Sequence, residues 1–146
     1  AIDIAAVHAG GEHLAMLLRI QNDLFDLGAD LATPGDDPGD GALRIVGAQV
    51  QRLEDEIDAM NADLAPLRSF VLPGGTALAA HLHVARATTR RAEREAVAAA
   101  ADVLLNPLAI HYLNRLSDHL FVMARHANRA EAGGAGDMLW VPAANR

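Results

Sequence analysis

Four arginines and a glutamate lie within nine residues of this sequence, at spacings that could do chemistry together. On an α-helix Arg86, Arg90, Glu93 and Arg94 would project from one stripe, because they recur at intervals of three and four residues. Arg91 would point about 100° away from Arg90. Guanidinium groups pair with carboxylate or phosphate oxygens, so this stripe could hold a polyphosphate. The alternative is a solvent-exposed helix face on which acidic residues pair with the arginines.

The composition restricts the classes of function that this chain could have. Its 146 residues carry a formal net charge of −7, which argues against general binding to nucleic acids or anionic membranes. All 12 basic residues are arginine, and cysteine is absent. A Walker A lysine, a Schiff-base lysine, disulfides and cysteine nucleophiles are therefore excluded. No stretch is apolar for the roughly 18 residues that a membrane span needs, so we expect a soluble, cytoplasmic protein.

Apolar residues recur at helical spacing over most of the chain. The pattern predicts a helix from residue 11 to Thr33, where Pro34 stops it, and a second helix over 43–64. Between them, the Pro-, Gly- and Asp-rich stretch 34–41 predicts an exposed loop. The helix over 43–64 has an apolar seam with steps of four and three, which favours packing along another helix. The seam consists of Val46, Val50, Leu53, Ile57, Met60 and Leu64.

Two further helices carry the polar residues of interest. Thr76 is a candidate N-cap for a helix that runs through the arginines to about residue 101. Asn106, followed by proline, predicts the N-cap and first turn of the last helix. In that helix Asn114, Asp118 and Arg125 fall on one polar flank beside an apolar seam, where they could serve a ligand.

The segments outside these helices have distinct compositions. The connector 66–75 is apolar but rich in proline and ends in Gly74-Gly75, so it should be extended, and its glycines would let a ligand approach the next helix. The tail 132–146 is Gly-rich and irregular, and its Trp140 must pack on the bundle or cover something. With no longer strand pattern, the chain predicts an all-α fold, an antiparallel bundle of four to five helices in one domain over 1–146.

Other catalytic motifs have no support in the sequence. Seven histidines invite a metal site, but none belongs to a Glu-x-x-His pair of the di-iron bundle type, so we expect no protein-ligated metal. Neither Gly-x-Ser-x-Gly nor Gly-x-Gly-x-x-Gly occurs, which leaves serine-hydrolase and dinucleotide-fold interpretations unsupported. Taken singly, Asn114, Asp118 and Phe70 are each better explained as ordinary surface or core residues, and Trp140 is ambiguous in the same way.

Four segments gain meaning when they are taken together. They are Gln-Asn-Asp-Leu-Phe-Asp-Leu-Gly-Ala-Asp-Leu-Ala-Thr-Pro at 21–34, Phe-Val-Leu-Pro-Gly-Gly at 70–75, Arg-Ala-Thr-Thr-Arg-Arg-Ala-Glu-Arg at 86–94 and Tyr-Leu-Asn-Arg-Leu-Ser-Asp at 112–118. In content, order and spacing they resemble the PduO-type ATP:cob(I)alamin adenosyltransferases. The last two segments are the most specific.

The resemblance implies a homotrimer of cobalamin adenosyltransferase-like, ferritin-like helical bundles with an active site at each subunit interface. There the 5′-deoxyadenosyl group of ATP moves, in the presence of Mg²⁺, onto the cobalt of cob(I)alamin, giving adenosylcobalamin and triphosphate. Arg86, Arg90 and Glu93 would be the catalytic residues. Contacts with ATP or the corrinoid would come from Phe70, Val71, Leu72, Pro73, Gly74, Gly75, Arg91, Arg94, Asn114, Asp118 and Trp140.

The family also implies a specific role for the connector. Phe70 matches the apolar wedge that displaces the lower axial base of the cobalamin, leaving four-coordinate Co(II) that accepts an electron more readily. The pocket should be dry, because Co(I) is easily lost to water or oxygen. Trp140 would help to close it. A reductase that supplies the electron and an adenosylcobalamin-dependent mutase are the implied protein partners.

One departure from the family concerns the start of the chain. Family members begin with a Thr-Arg-Thr-Gly-Asp-like loop around the ATP phosphates and a Val-Asp-Glu-Leu-Asn-like helix start, and this sequence contains neither. We therefore expect a domain that lacks the N-terminal ATP-binding loop, either because the loop orders only on nucleotide binding or because it is truly missing. In the second case the affinity for ATP should fall severely.

A second function competes with the enzymatic one. The protein could instead bind adenosylcobalamin and escort it to a mutase. Both functions use the Phe70 pocket, but only the enzyme needs the arginine stripe to engage ATP. Corrinoid binding without ATP-dependent formation of a Co–C bond would favour the carrier.

Overall fold

The computed structural model describes residues 1–35, 39 and 41–145, and these form five α-helices. The predicted all-α fold is confirmed. The loop predicted over 34–41 lies partly outside the described residues. The helices are α1 (Ile2–Val7), α2 (Gly11–Leu31), α3 (Gly47–Asn61), α4 (Ala77–Ala99) and α5 (Pro107–Ala127), and a 3₁₀ turn follows at Ala130–Ala132.

The two helices that carry the candidate site begin at the predicted caps. Thr76 Oγ1 accepts a hydrogen bond from the backbone N–H of Ala79 at 3.2 Å. Asn106 Oδ1 accepts one from the N–H of Leu108 at 3.0 Å, and proline occupies the first turn. Such a cap stabilises a helix by about 1 kcal/mol, so both starting points are well defined.

The helix α3 begins at Gly47, four residues later than the pattern predicted. The carboxylate of Asp30, at the end of α2, draws the preceding residues into an extended path. It accepts hydrogen bonds from the Ile45 N–H at 2.7 Å and from Arg44 at 2.5 Å, and from the Asn106 amide at 2.7 Å. Val46, predicted as the first residue of the apolar seam, therefore precedes the helix and is 51% exposed.

The helix α5 lies at the centre of the bundle. Both α3 and α4 pack along it, and α1 packs against α2 and α4. Its predicted seam is buried, and full burial of each such side chain contributes about 1.5–3 kcal/mol. The seam residues are Leu113, Leu116, Leu120 and Met123. This burial holds α4 in a fixed position beside α5.

A buried carboxylate also ties α2 to α3 and α5. Asp23 accepts a hydrogen bond from the Tyr112 hydroxyl at 2.7 Å and forms an ion pair with Arg52. Burial and the bond to Asp23 raise the pKa of Tyr112, so the phenol stays a proton donor at neutral pH. The contacts of Asp23 thus join three helices, which fixes their register.

Candidate functional site

The helix α4 presents the arginine stripe predicted from the spacing. Arg90 Nη1 pairs with Glu93 Oε2 at 2.6 Å. The other carboxylate oxygen, Oε1, accepts a hydrogen bond from the Asn114 side chain of α5 at 2.8 Å. The structure therefore brings Arg90, Glu93 and Asn114 together, with Arg90 still 47% exposed. The carboxylate orients the guanidinium, which can still receive an anion from solvent.

Arg86 lies one turn earlier on α4, over an aromatic ring. Its guanidinium carbon is 5.0 Å from the centroid of the Phe121 ring of α5. A cation–π contact of this kind fixes the direction of the guanidinium without consuming its hydrogen-bond donors. The arginine is exposed and can use those donors for an oxyanion.

Arg91 points away from that stripe, as its position on the helix predicts. It lines a separate cavity of about 570 Å³ on the flank of α4, together with Pro73 of the connector. Arg94, at the far end of the stripe, is exposed. The arginines of α4 thus face two neighbouring regions of the surface.

The connector and the tail pair with each other through their backbones. The Leu72 N–H donates to the Met138 carbonyl at 2.7 Å, and the Trp140 N–H donates to the Phe70 carbonyl at 2.8 Å. Val71 and Leu139 form an isolated antiparallel bridge between these bonds. The tail therefore packs on the connector and keeps it extended. The sequence pattern predicted an extended connector without a helix.

Two exposed aromatic rings result from this pairing. The Phe70 and Trp140 ring centroids are 5.9 Å apart in an edge-to-face arrangement. Phe70 is 77% exposed and Trp140 is 44% exposed. Exposed large apolar side chains in one cluster mark a surface that binds a ligand or a partner.

The glycines of the connector have a structural role that the sequence did not predict. Gly75 has a φ of +103°, and a Cβ added there would lie 2.2 Å from Asn128 Oδ1. The Asn128 side chain occupies the space next to Gly75. Its Oδ1 accepts a hydrogen bond from the Thr76 N–H and its Nδ2 donates one to the Gly74 carbonyl, both at 2.9 Å. Close approach at these glycines therefore anchors the connector to the end of α5.

Two polar residues of α5 that were predicted on the ligand-facing flank have other contacts in the structure. Asp118 Oδ2 pairs with Arg115 Nη1 at 3.0 Å, and Arg115 also contacts Glu54 of α3, so the described contacts link Asp118 to α3 and not to the arginine stripe. Arg125 was predicted on the same flank, but it is 7% exposed. It pairs with Asp137 at 3.0 Å, because the tail folds back over the end of α5.

We expect Gly75→Ala to destabilise the protein by about 2 kcal/mol, because the side chain would be strained at this φ and would displace Asn128. Urea unfolding of both proteins measures the difference. Gly28→Ala is the matched control, since Gly28 lies within α2 with nothing within 4 Å of an added Cβ. That change should leave stability equal or slightly higher. An equal effect at both sites would contradict the close-approach argument.

Comparison with known proteins identifies the family. A family model described as cobalamin adenosyltransferase matches residues 1–127. The chain belongs to the cobalamin adenosyltransferase family. A corrinoid adenosyltransferase of Mycobacterium tuberculosis (strain ATCC 25618 / H37Rv) is 49% identical over 146 residues, covering 98% of this chain and 73% of that protein. The corrinoid adenosyltransferase PduO of Salmonella typhimurium is 39% identical over 126 residues, covering 86% of this chain and 38% of that protein.

Solved cobalamin adenosyltransferase structures have the same fold. A variant of the PduO-type ATP:corrinoid adenosyltransferase from Lactobacillus reuteri, complexed with cobalamin and ATP, superimposes with a TM-score of 0.86. It is 35% identical, and the match covers 97% of this chain and 76% of that chain. The predicted family resemblance is thereby confirmed.

The sequence did not reveal three residues that shape the candidate site. Phe121 supports Arg86, Asn128 anchors the connector, and Asp137 fixes the tail through Arg125. In the sequence, Phe121 cannot be distinguished from the other apolar residues of α5. Asn128 resembles any polar residue at the C-terminal end of a helix. Their roles depend on contacts between segments distant in the chain, which spacing along one helix cannot predict.

Proposed function

We propose that this chain transfers the 5′-deoxyadenosyl group of ATP to the cobalt of a reduced corrinoid and releases triphosphate. One observation carries the proposal. The exposed Phe70–Trp140 pair belongs in part to the connector that leads into α4, and the Arg86 and Arg90 guanidinium groups lie on that helix. An apolar surface for a corrinoid and cationic groups for a polyphosphate are thus carried by contiguous parts of one chain.

The arginines stabilise the leaving group in this reaction. The Co(I) electron pair forms the Co–C5′ bond while the bond between C5′ and the triphosphate oxygen breaks. Negative charge develops on the triphosphate, and preorganised guanidinium donors stabilise it best in the transition state. The contacts of Arg86 with Phe121 and of Arg90 with Glu93 supply this preorganisation.

Mg²⁺ is the cofactor that the family implies. The Glu93 carboxylate and the Asn114 amide carry oxygen atoms beside the arginine stripe, and Mg²⁺ prefers oxygen ligands together with substrate phosphates. When bound, the ion would neutralise charge on the triphosphate. Among the described residues, no group of three or more side chains is arranged to hold a metal by itself.

An anaerobic assay tests the proposed reaction. Chemically reduced cobalamin, ATP and Mg²⁺ are mixed with the protein, and the Co(I) absorbance is followed together with triphosphate release. We expect loss of the Co(I) band with stoichiometric triphosphate and a light-sensitive product. Corrinoid binding without triphosphate release would instead support the carrier function.

Replacing Phe70 by alanine should slow adenosylation by about tenfold or more, equivalent to at least about 1.4 kcal/mol of activation free energy. The ring is 77% exposed, so its loss should leave the bundle folded. Steady-state kinetics with cob(II)alamin and a reductant measure the change, and thermal unfolding confirms the fold. Leu104→Ala is the control, because Leu104 is 58% exposed in the loop between α4 and α5. Unchanged turnover by the Phe70 variant would contradict the wedge role.

We further propose that the chain acts as a homotrimer in the cytoplasm, with its sites between subunits. Exposed apolar side chains on three helices support an assembly, namely Ile4, Phe25 and Val84. Light scattering should give three times the 15.4-kDa chain mass. A reductase and an adenosylcobalamin-dependent mutase are the proposed partners. Among the described residues, no helix combines the length and apolar character needed to cross a bilayer.

A further inference from the structure

A cavity lies on the flank of α4 beside the arginine stripe. Its volume is about 570 Å³. Pro73 of the connector lies in its wall, and Arg91 contributes the charged group. Small side chains of α4 line the space between them, namely Ala80, Val84 and Ala87. This lining suits a largely apolar molecule that carries a few polar groups.

His83 lines the same cavity and is 8% exposed. Its Nε2 atom is buried and has no hydrogen-bond partner within the part of the chain that the structure describes. An unpaired buried polar atom costs about 1–3 kcal/mol, and nearly all such atoms in folded proteins find partners. Because Nε2 has almost no accessible surface, a molecule in the cavity reaches it only when the imidazole ring turns, and relief of this cost favours that turn.

The charge state of His83 defines the kind of partner. Burial lowers the pKa of His83, and the Arg86 guanidinium lowers it further, against an opposing effect of Asp137. The ring also packs edge-on against Phe121, with the centroids 6.4 Å apart. The imidazole is therefore neutral at pH 7, with one nitrogen donating and the other accepting. It suits a neutral amide better than a phosphate, which the exposed arginines nearby bind more strongly.

We propose that His83 hydrogen-bonds a carboxamide at the edge of the corrinoid. The corrin ring carries methyl groups and carboxamides around its rim, which matches apolar walls with a single neutral hydrogen-bonding group. The cavity begins at Pro73, three residues after Phe70, so the contact sets the rotation of the corrinoid over that ring. This assignment rests on the adenosyltransferase function proposed above.

Replacing His83 by leucine tests the assignment. The variant should bind cob(II)alamin about fivefold to tenfold more weakly by absorbance titration, as for the loss of one hydrogen bond. Its dissociation constant for ATP, measured by calorimetry, should not change. His83→Gln should recover part of the corrinoid affinity. His111→Leu, at an exposed position of α5, is the matched control.

Stability separates a binding role from a structural one. His83→Leu removes an unpaired buried nitrogen, so the ligand-free variant should unfold at the same temperature as the wild type or higher. A lower unfolding temperature with unchanged corrinoid affinity would overturn the assignment, as would weaker ATP binding alone. If the wild-type protein binds no cob(II)alamin, the proposed function itself fails, and this result does not depend on the variant.

Discussion

Replacing Arg90 with alanine is expected to lower kcat by about 10²- to 10³-fold, the usual cost of losing one preorganised donor to a developing charge. The side chain is 47% exposed and its described ion pair is with Glu93 on its own helix. A surface pair of this kind contributes little to stability, so the loss should appear in catalysis and not in folding. Triphosphate release under saturating ATP and cob(I)alamin measures the effect.

Arg19→Ala is the control for the loss of an arginine. Arg19 lies on α2, is 45% exposed and pairs with Glu56, which retains contacts with Arg52 and His119 when Arg19 is removed. This variant should keep the wild-type kcat. Equal loss of activity in both variants would mean that net charge, and not the position of Arg90, governs the rate.

Asp30→Ala should have the largest effect on stability, about 3–5 kcal/mol. The carboxylate is 1% exposed and accepts hydrogen bonds from Arg44, the Ile45 N–H and the Asn106 amide. Alanine would leave the Ile45 N–H without its acceptor and Arg44 without its counter-charge, and the Asn106 amide would keep only its bond to the Ile45 carbonyl. Urea unfolding at pH 7 gives the free energy of unfolding for both proteins.

Replacement of Asp55 in α3 is the matched control for the Asp30 variant. Asp55 is exposed and accepts a hydrogen bond from Gln51 on its own helix at 3.0 Å. Asp55→Ala should change stability by no more than about 0.5 kcal/mol. A loss of less than about 1 kcal/mol in the Asp30 variant would contradict the prediction. It would mean that water replaces the carboxylate as the hydrogen-bond partner of Arg44 and Asn106.

Local sequence rules predicted most of the helices because their signals lie within a few residues of one another. Thr76 and Asn106 cap α4 and α5 as expected, and the seam of α5 is buried. The start of α3 could not be predicted in the same way. It depends on Asp30, whose bond to Ile45 spans 15 positions and overrides the helical pattern of residues 43–46.

In the candidate site, too, contacts within one helix could be predicted and contacts between distant segments could not. The arginine stripe and Glu93 lie on one helix, so spacing alone predicted that their side chains share a face. Spacing also placed Asn114 on the polar flank of α5, whereas the role of Phe70 came from the family resemblance. The burial of Arg125 and the approach of Asn128 to Gly75 depend on how the tail and connector fold back over α5. No periodicity in either segment signals those contacts.

The pairing of connector and tail separates the stability of the pocket from that of the bundle. Few side chains there are buried, and the Leu72 and Trp140 amides are held by single backbone hydrogen bonds. Such a segment opens locally at a lower free energy than global unfolding, so these two amides should exchange with deuterium well before those of α5. A corrinoid that binds only the closed arrangement would slow their exchange. The protein could thus keep its bundle folded through each cycle of loading and release, while only this pair of segments opens and closes.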